Sequence, residues 1–270
     1  MPTLTLISSS YKRADLLEQD IPSWLKGTRP DEIIIINDGP YDFTEQVFKM
    51  YSQMHPDIHW VYEHNDKQQW LNPCIVHNWA VRQATSDIIA IVDPEILFVT
   101  DCIGQLKEAL DNNELLFVNA GTFYDVKSDI KLAHPGKNII TNPSLIKERD
   151  DIVEYYVGYV SGPNDIVKMQ SASHYFGGCY RSLWMAVRGK DERFVHGWGN
   201  EDLDLMARMR RYGAEHRAIP EMEIIHRPHI VAGGRDSNLI RHNHMLRERN
   251  DEAGVIQANR EGKWGHLWNP

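Results

Sequence analysis

Two carboxylates stand one residue apart at Asp93-Pro94-Glu95, directly after the apolar run Ile88-Ile89-Ala90-Ile91-Val92. Acids so spaced at a strand end can share a divalent cation; hard Mn2+ or Mg2+ favours such oxygen ligands and bridges well to a diphosphate. Asp-Pro is also a common turn opener, so both readings stay open on this pair alone. A second acidic stretch is Gly197-Trp198-Gly199-Asn200-Glu201-Asp202-Leu203-Asp204. Asn200 suits a helix N-cap, and acids in the first turn complement the helix dipole with no further role. The sharper reading uses the neighbours. Two glycines bracket an aromatic just before the acids, so the backbone can approach a ligand, and a carboxylate there could take the proton of an attacking hydroxyl. Gly177-Gly178 after Phe176 marks a bulge, a close approach or a turn. His226, His229, His242 and His244 gather in a short stretch. One of them could ligate a metal, but their spacing matches no zinc signature.

Positioning these groups falls to an alternating array. Strand-type runs at 3–9, 33–36, 58–62, 88–92 and 115–118 alternate with helical stretches at 12–25, 43–54, 73–85 and 101–112. Pro22 marks a break or a new turn in the first helix. Alternation with apolar strands predicts a mainly parallel sheet covered on both faces, with ligands at the carboxyl ends of strands. Those ends carry Ser8-Ser9-Ser10, Asn37-Asp38 and Asp93-Pro94-Glu95. The stretch 128–173 reads as loops around one helix near 145–156. Order then resumes with a strand at 175–180, a helix at 182–187, a helix at 201–212 and a strand at 219–225. The tail from Arg235 is rich in Arg, His and Asn; with Gly233-Gly234 before it, it could act as a lid.

Composition narrows the classes. The chain has 270 residues, 42% hydrophobic and 25% charged, which excludes disordered and collagen-like chains. Its 38 acidic and 29 basic residues give a net charge of −9. That argues against a general nucleic-acid or anionic-membrane binder and leaves room for a local basic pocket. Cys74, Cys102 and Cys179 form no close pair, so three free thiols and a cytoplasmic location are expected. No apolar run is long enough for a transmembrane segment, and the first ten residues read as a strand rather than a signal peptide.

Taken in order, these pieces resemble a GT-A glycosyltransferase of the broad family 2 type. The C-terminal half is similar to the galactosyltransferase and chondroitin-polymerase branch. The resemblance rests on Ile33 to Gly39, on Asp93-Pro94-Glu95 in place of Asp-x-Asp, on Phe176-Gly177-Gly178, and above all on Trp198 to Leu205. It implies an α/β GT-A (Rossmann-like) fold over 1–230, with a nucleotide-sugar-binding half at about 1–125, a smaller acceptor-binding half at about 126–230 and a tail at 231–270. It also implies an inverting, metal-dependent transfer of a sugar from a nucleotide diphosphate sugar, UDP-linked, to a hydroxyl acceptor such as a glycan. Asp38 would bind the nucleobase, with Ser8, Ser9 and Tyr11 lining the pocket. Asp93 would contact the ribose or the metal, with Glu95 and His226 as metal ligands for Mn2+ or Mg2+. Asp202 would be the base and Glu201 would hold the acceptor hydroxyl. Gly177, Gly178 and Trp198 would border a sugar.

Three positions depart from the family pattern. Glu95 is one methylene longer than the usual Asp, Asn37 stands where Asp is frequent, and Val76-His77-Asn78-Trp79-Ala80 replaces the usual Ala-Arg-Asn. Diphosphate contacts would then fall to Lys67, Arg82 or Arg227. Two other readings are a nucleotide-sugar-binding protein without transfer activity and a zinc hydrolase built on the tail histidines.

Overall fold

The four isoleucines Ile33 to Ile36 are all fully buried, and alternate ones face opposite sides of a central sheet. That is the expected fate of a continuous apolar run in a sheet covered on both faces. The computed structural model describes residues 1–65, 72–126, 152–156, 175–227 and 236–267. Strands β1 (Leu4–Ser10), β2 (Glu32–Asn37), β3 (His59–His64) and β4 (Ile88–Val92) pair in parallel in the order β3-β2-β1-β4. Helices α1 (Ala14–Trp24), α2 (Thr44–Met54) and α3 (Cys74–Gln83) connect them. Beyond β4 the sheet is mixed. Strand β5 is Ile96–Phe98, helix α4 Cys102–Leu110, β6 Leu116–Val126, β7 Ile152–Tyr156, β8 Phe176–Tyr180 and β9 Glu215–His226. β8 runs antiparallel between β4 and β6, β6 pairs β9 in parallel, β5 closes the edge against β9, and β7 pairs β6.

The sheet divides the core in two. Leu4, Leu6, Ile33, Ile35, Ile88 and Ala90 meet α1, α2 and α4 on one face. Ile7, Ile34, Ile36 and Ile89 meet α3 on the other, together with α5 (Arg181–Ala186), α6 (Glu201–Tyr212) and Trp264 from the tail. Leu205 and Met209 of α6 are buried, whereas Tyr212, a turn later, is exposed.

Several expectations need correction. Pro22 neither breaks α1 nor starts a new turn; it lies inside the helix. Proline removes the N–H that would reach the carbonyl four residues back. Here the Tyr51 hydroxyl donates to that carbonyl, Glu18 O, at 2.8 Å, so the group is satisfied. The helix expected near 145–156 is overturned where it is described: 152–156 is strand β7, and the rest lies outside the described residues. Asn200 occupies the N-cap position, but at φ 69° and without a side-chain capping bond. The tail forms helix α7 (Ser237–Glu252), docked through buried Asn243 and Asn250. Asn243 donates to Phe194 O at 3.0 Å and to Gly199 O at 2.8 Å. A Cβ at Gly197 would lie 2.1 Å from Asn243 Oδ1, so only glycine admits this contact. Gly233-Gly234 lie outside the described residues. Among the described residues no helix is long and apolar enough to cross a membrane.

One buried ion pair ties these parts together. Arg208 Nε donates to Asp204 Oδ2 at 2.7 Å with both side chains fully buried. Arg208 also reaches Val187 O, and Asn250 donates to Asp204 Oδ1 at 2.7 Å. Removing one partner strands the other as an uncompensated buried charge. Asp204→Ala is therefore expected to cost about 3–5 kcal/mol, read by urea unfolding.

Candidate active site

The carboxyl ends of the parallel strands form one rim, with β1 at its centre. Ser8 is fully buried, and its hydroxyl has no partner among the described residues. Ser9 Oγ and the Nε2 of buried His77 lie 2.9 Å apart. Burial and the nearby Lys190 ammonium hold His77 well below the usual histidine pKa, so the ring is neutral. Next to β1, Asp38 follows the end of β2. Its N–H donates to Ser10 O at 2.7 Å, and Asn65 Nδ2 donates to its carboxyl at 2.8 Å. The Tyr11 ring lies directly over Gly39, where a Cβ would come within 2.4 Å of it. Tyr11, Asp38 and Asn65 thus shape one cup. Burial pushes the Asp38 carboxyl up to about 6, against the opposing pull of Asn65.

On the far side of β1, Asp93 and Glu95 follow β4. Asp93 N–H donates to Tyr175 O at 3.0 Å, and Ile96 N–H turns back to Asp93 O at 3.1 Å. Glu95 is only 2% exposed, and both its oxygens accept from Arg13 Nη1, each at 2.6 Å. His226, at the end of β9, opposes Ile96 in register; its Nε2 lies 3.7 Å from Glu95 Oε1. The Tyr175 ring stands 4.7 Å from the His226 ring. Burial first, then the charge of Glu95, pushes the Asp93 carboxyl up. Arg13 and His226 oppose that shift and Asp202 adds to it, so the field of Asp202 reaches Asp93.

Asp202 lies in the first turn of α6 and is 19% exposed. Lys190 Nζ sits 2.5 Å from its Oδ1 and is itself 3% exposed. Burial works to discharge this ammonium. The carboxylates of Asp202 and Glu201 outweigh it and hold the lysine above its ordinary value. The lysine is held in place by backbone bonds from distant segments. Its N–H donates to Asn78 Oδ1 at 2.8 Å, and its carbonyl accepts from Asn78 and Asn259, both at 2.8 Å. Glu201 is buried beside it, and Trp198 is half-buried, its N–H bonded to Leu239 O at 3.2 Å.

The structure therefore brings Asp93, Glu95, His226 and Asp202 together, with Ser8, Ser9, Tyr11 and Asp38 along the same rim. Gly177 and Gly178 are interior. A Cβ at Gly178 would meet Ile89 O at 2.5 Å, and one at Gly177 would meet Val118 O at 2.9 Å, so close strand packing accounts for the pair. Arg227, expected near a diphosphate, is itself buried, and its Nε donates to buried Asp20 at 2.5 Å. Arg82 lies over the Trp264 ring at 5.4 Å, and Lys67 and His229 lie outside the described residues. His242 and His244 stand exposed on α7, with His244 against Glu248 at 3.2 Å.

A profile for glycosyl transferase family 2 matches residues 5–176. The chain belongs to glycosyl transferase family 2. It is a glycosyltransferase with a GT-A-type α/β fold. Among solved structures it is similar to the mannosyltransferase PcManGT of Pyrobaculum calidifontis, in complex with GDP-Man and Mn2+. The TM-score is 0.58 at 15% identity, over 97% of this chain and 66% of that one. It is also similar to residues 1–349 of S. aureus TarS in complex with UDP, with TM-score 0.63 at 11% identity, over 96% of this chain and 67% of that one. The glycosyltransferase thus spans about two thirds of the length of these two chains. No curated protein sequence matches it. The family match ends before α6, so Asp202 stands on geometry rather than on the match.

The expected metal ligands are gathered but do not fit a cation as arranged. Both Glu95 oxygens are on Arg13, and no group of three His, Cys, Asp or Glu able to hold a metal occurs among the described residues. Sequence reasoning missed Arg13, Lys190 and His77 as members of the site. Arg13 and Lys190 carried no local signal: each is a basic residue just before a helix, defined by a carboxylate on another element.

Asp38 yields a sign-definite pH test. Its folded-state pKa lies above the ordinary 3.8. Its proton-linked contribution to stability is fully present below 3.8 and is lost as the pH rises through about 6. Asp38→Asn should therefore raise stability by about 2–3 kcal/mol above roughly pH 7, with no gain in acid, as measured by urea unfolding at several pH values.

Proposed function

We propose that this glycosyltransferase moves a sugar from a UDP-linked donor to an acceptor hydroxyl, on a glycan or another alcohol, with inversion. The observation that carries the reading is the placement of Asp38 and Asp93 at neighbouring strand ends, with Asp202 close enough for its charge to act on Asp93 and with Lys190 on Asp202. The uracil ring would lie in the cup of Tyr11, Asp38 and Asn65, with Asp38 accepting from its imide N–H. Asp93 would meet the ribose. Ser8 and Ser9 would line the same pocket, and Trp198 would border the sugar. The likeness of Trp198 to Leu205 to the galactosyltransferase branch supports giving Asp202 the part of base. Three buried, free cysteines support a reducing, cytoplasmic setting.

The chemistry needs one base and one displacement. The acceptor hydroxyl, held by Glu201, loses its proton to Asp202 while its oxygen attacks the anomeric carbon. The bond from that carbon to the diphosphate oxygen breaks, and the nucleoside diphosphate leaves with the electron pair. A single in-line displacement inverts the anomeric centre. The Lys190 ammonium, 2.5 Å from Oδ1, is the counter-ion of this carboxyl and fixes its position. No step here runs through a metal.

Asp202→Asn keeps the shape of the side chain and removes the base. Release of nucleotide from the UDP-sugar should fall by about 10²–10⁴-fold, with UDP affinity by calorimetry unchanged. Loss of both together would remove Asp202 from the role of base. Donor binding by the wild-type protein without turnover on any acceptor would instead favour a nucleotide-sugar-binding protein.

A further inference from the structure

We infer that the Arg13 guanidinium stands in for a divalent cation on the leaving diphosphate, so that transfer proceeds without metal; the inference rests on the donor reading above. A diphosphate held beside Asp93, Glu95 and Asp202 needs a counter-charge. Arg13 supplies one from the chain itself. It sits at the N-cap position of α1, in the loop after β1, where parallel α/β sheets hold ligands. Lys12 at φ 55° turns the chain just before it.

Two observations separate this from an ordinary ion pair. First, Arg13 Nη1 is shared by both Glu95 oxygens at 2.6 Å, so the carboxylate expected to hold the metal already holds a cation. A divalent ion at Glu95 would have to break that contact and then sit beside a like charge. Second, the guanidinium is not used up. Its Nε is buried and has no partner among the described residues, and the side chain is 18% exposed. Donors left over on a planar, permanently charged fork suit diphosphate oxygens. As the bond to the anomeric carbon breaks, the electron pair goes to the diphosphate oxygen and Arg13 balances the new charge. Arg13 transfers no proton.

The test uses the full chain, a UDP-sugar panel and released nucleotide as the readout, with EDTA or with Mn2+, plus Mn2+ binding to the protein alone by electron paramagnetic resonance. Wild type is expected to turn over equally in EDTA and to bind no Mn2+. Arg13→Ala should lose about 10²–10³-fold in EDTA. It should also bind Mn2+ through the vacated Glu95 and recover turnover when Mn2+ is added. Arg13→Lys keeps the charge, and guards against a folding defect by retaining EDTA-resistant turnover. Wild-type turnover that collapses in EDTA and returns with Mn2+ overturns the inference and leaves the donor reading intact. A wild-type protein that neither binds UDP nor releases nucleotide in either condition overturns both.

Discussion

Charge balance among buried carboxylates is the constraint that the rest of the molecule serves. Seven acids lie in or beside the rim: Asp38, Asp93, Glu95, Asp191, Glu201, Asp202 and Asp204. Taking one ionised carboxylate out of water unpaired is costly enough that proteins neutralise it or bring a counter-ion. Glu95 has Arg13, Asp202 has Lys190, Asp204 has Arg208 and Asp191 has Arg193. Asp38 has no such cation among the described residues and is instead pushed toward its neutral form. The first turn of α6 shows the division of labour. Asp204 points inward to a fully buried arginine and supports the fold, whereas Asp202, two residues earlier, is partly exposed and paired with Lys190. A helix presents successive residues about 100° apart, so one turn can feed both the core and the site.

The counter-ions make distant segments interdependent. Lys190 keeps its position through Asn78 of α3 and Asn259 of the tail. Gly265 N–H donates to Glu192 Oε1 at 2.7 Å, and Asn78 donates to the same carboxyl, so the last turns of the chain brace the lysine loop again. Helix α7 secures the Gly197 to Asn200 approach through Asn243, and the Asp204–Arg208 pair through Asn250. The tail is therefore part of the framework of the rim. Arg227 plays the matching part at the other end: bonded to Asp20 of α1 and through its N–H to Glu95 O, it pins the end of β9 to the strand-end acids.

How far the sequence reveals this follows from what is local. β1, β2 and β4 are legible because each is a short, largely apolar run whose burial on both faces needs no knowledge of its neighbours, whereas β3 at the edge is only half-buried. Asp93, Glu95 and Asp202 are legible as candidates because strand ends and first helical turns place acids by position alone. Counter-ions are not local. Arg13 and Glu95 are 82 residues apart, and Arg227 and Asp20 are 207 apart. Nothing near Arg227 says that its charge faces a buried carboxylate on α1. Pro22 misleads for the same reason, since the hydroxyl that relieves it comes from Tyr51 on another helix. Strand β5 has three residues, too few for a periodic signal, and β7 falls in a stretch where local pattern suggested a helix. Gly177-Gly178 marks a close approach, but the partner is the sheet itself.

Asp38 and Asp202 show how one residue type can fill two roles. Environment separates them: Asp38 is enclosed with a neutral amide as its partner, and Asp202 is partly exposed with an ammonium as its partner. Burial works against the charged form of the first, and a neighbouring cation works for the charged form of the second. A buried carboxyl poised near 6 responds to a single hydrogen-bond donor, since gaining or losing one shifts its ionisation at neutral pH. An imide N–H entering the cup would be such a donor. In Asp202 the ammonium engages Oδ1, which leaves Oδ2 as the oxygen that would meet a hydroxyl. On the proposed reading the two aspartates divide recognition from proton transfer, because burial encloses Asp38 after β2 while helix α6 leaves Asp202 partly exposed beside an ammonium.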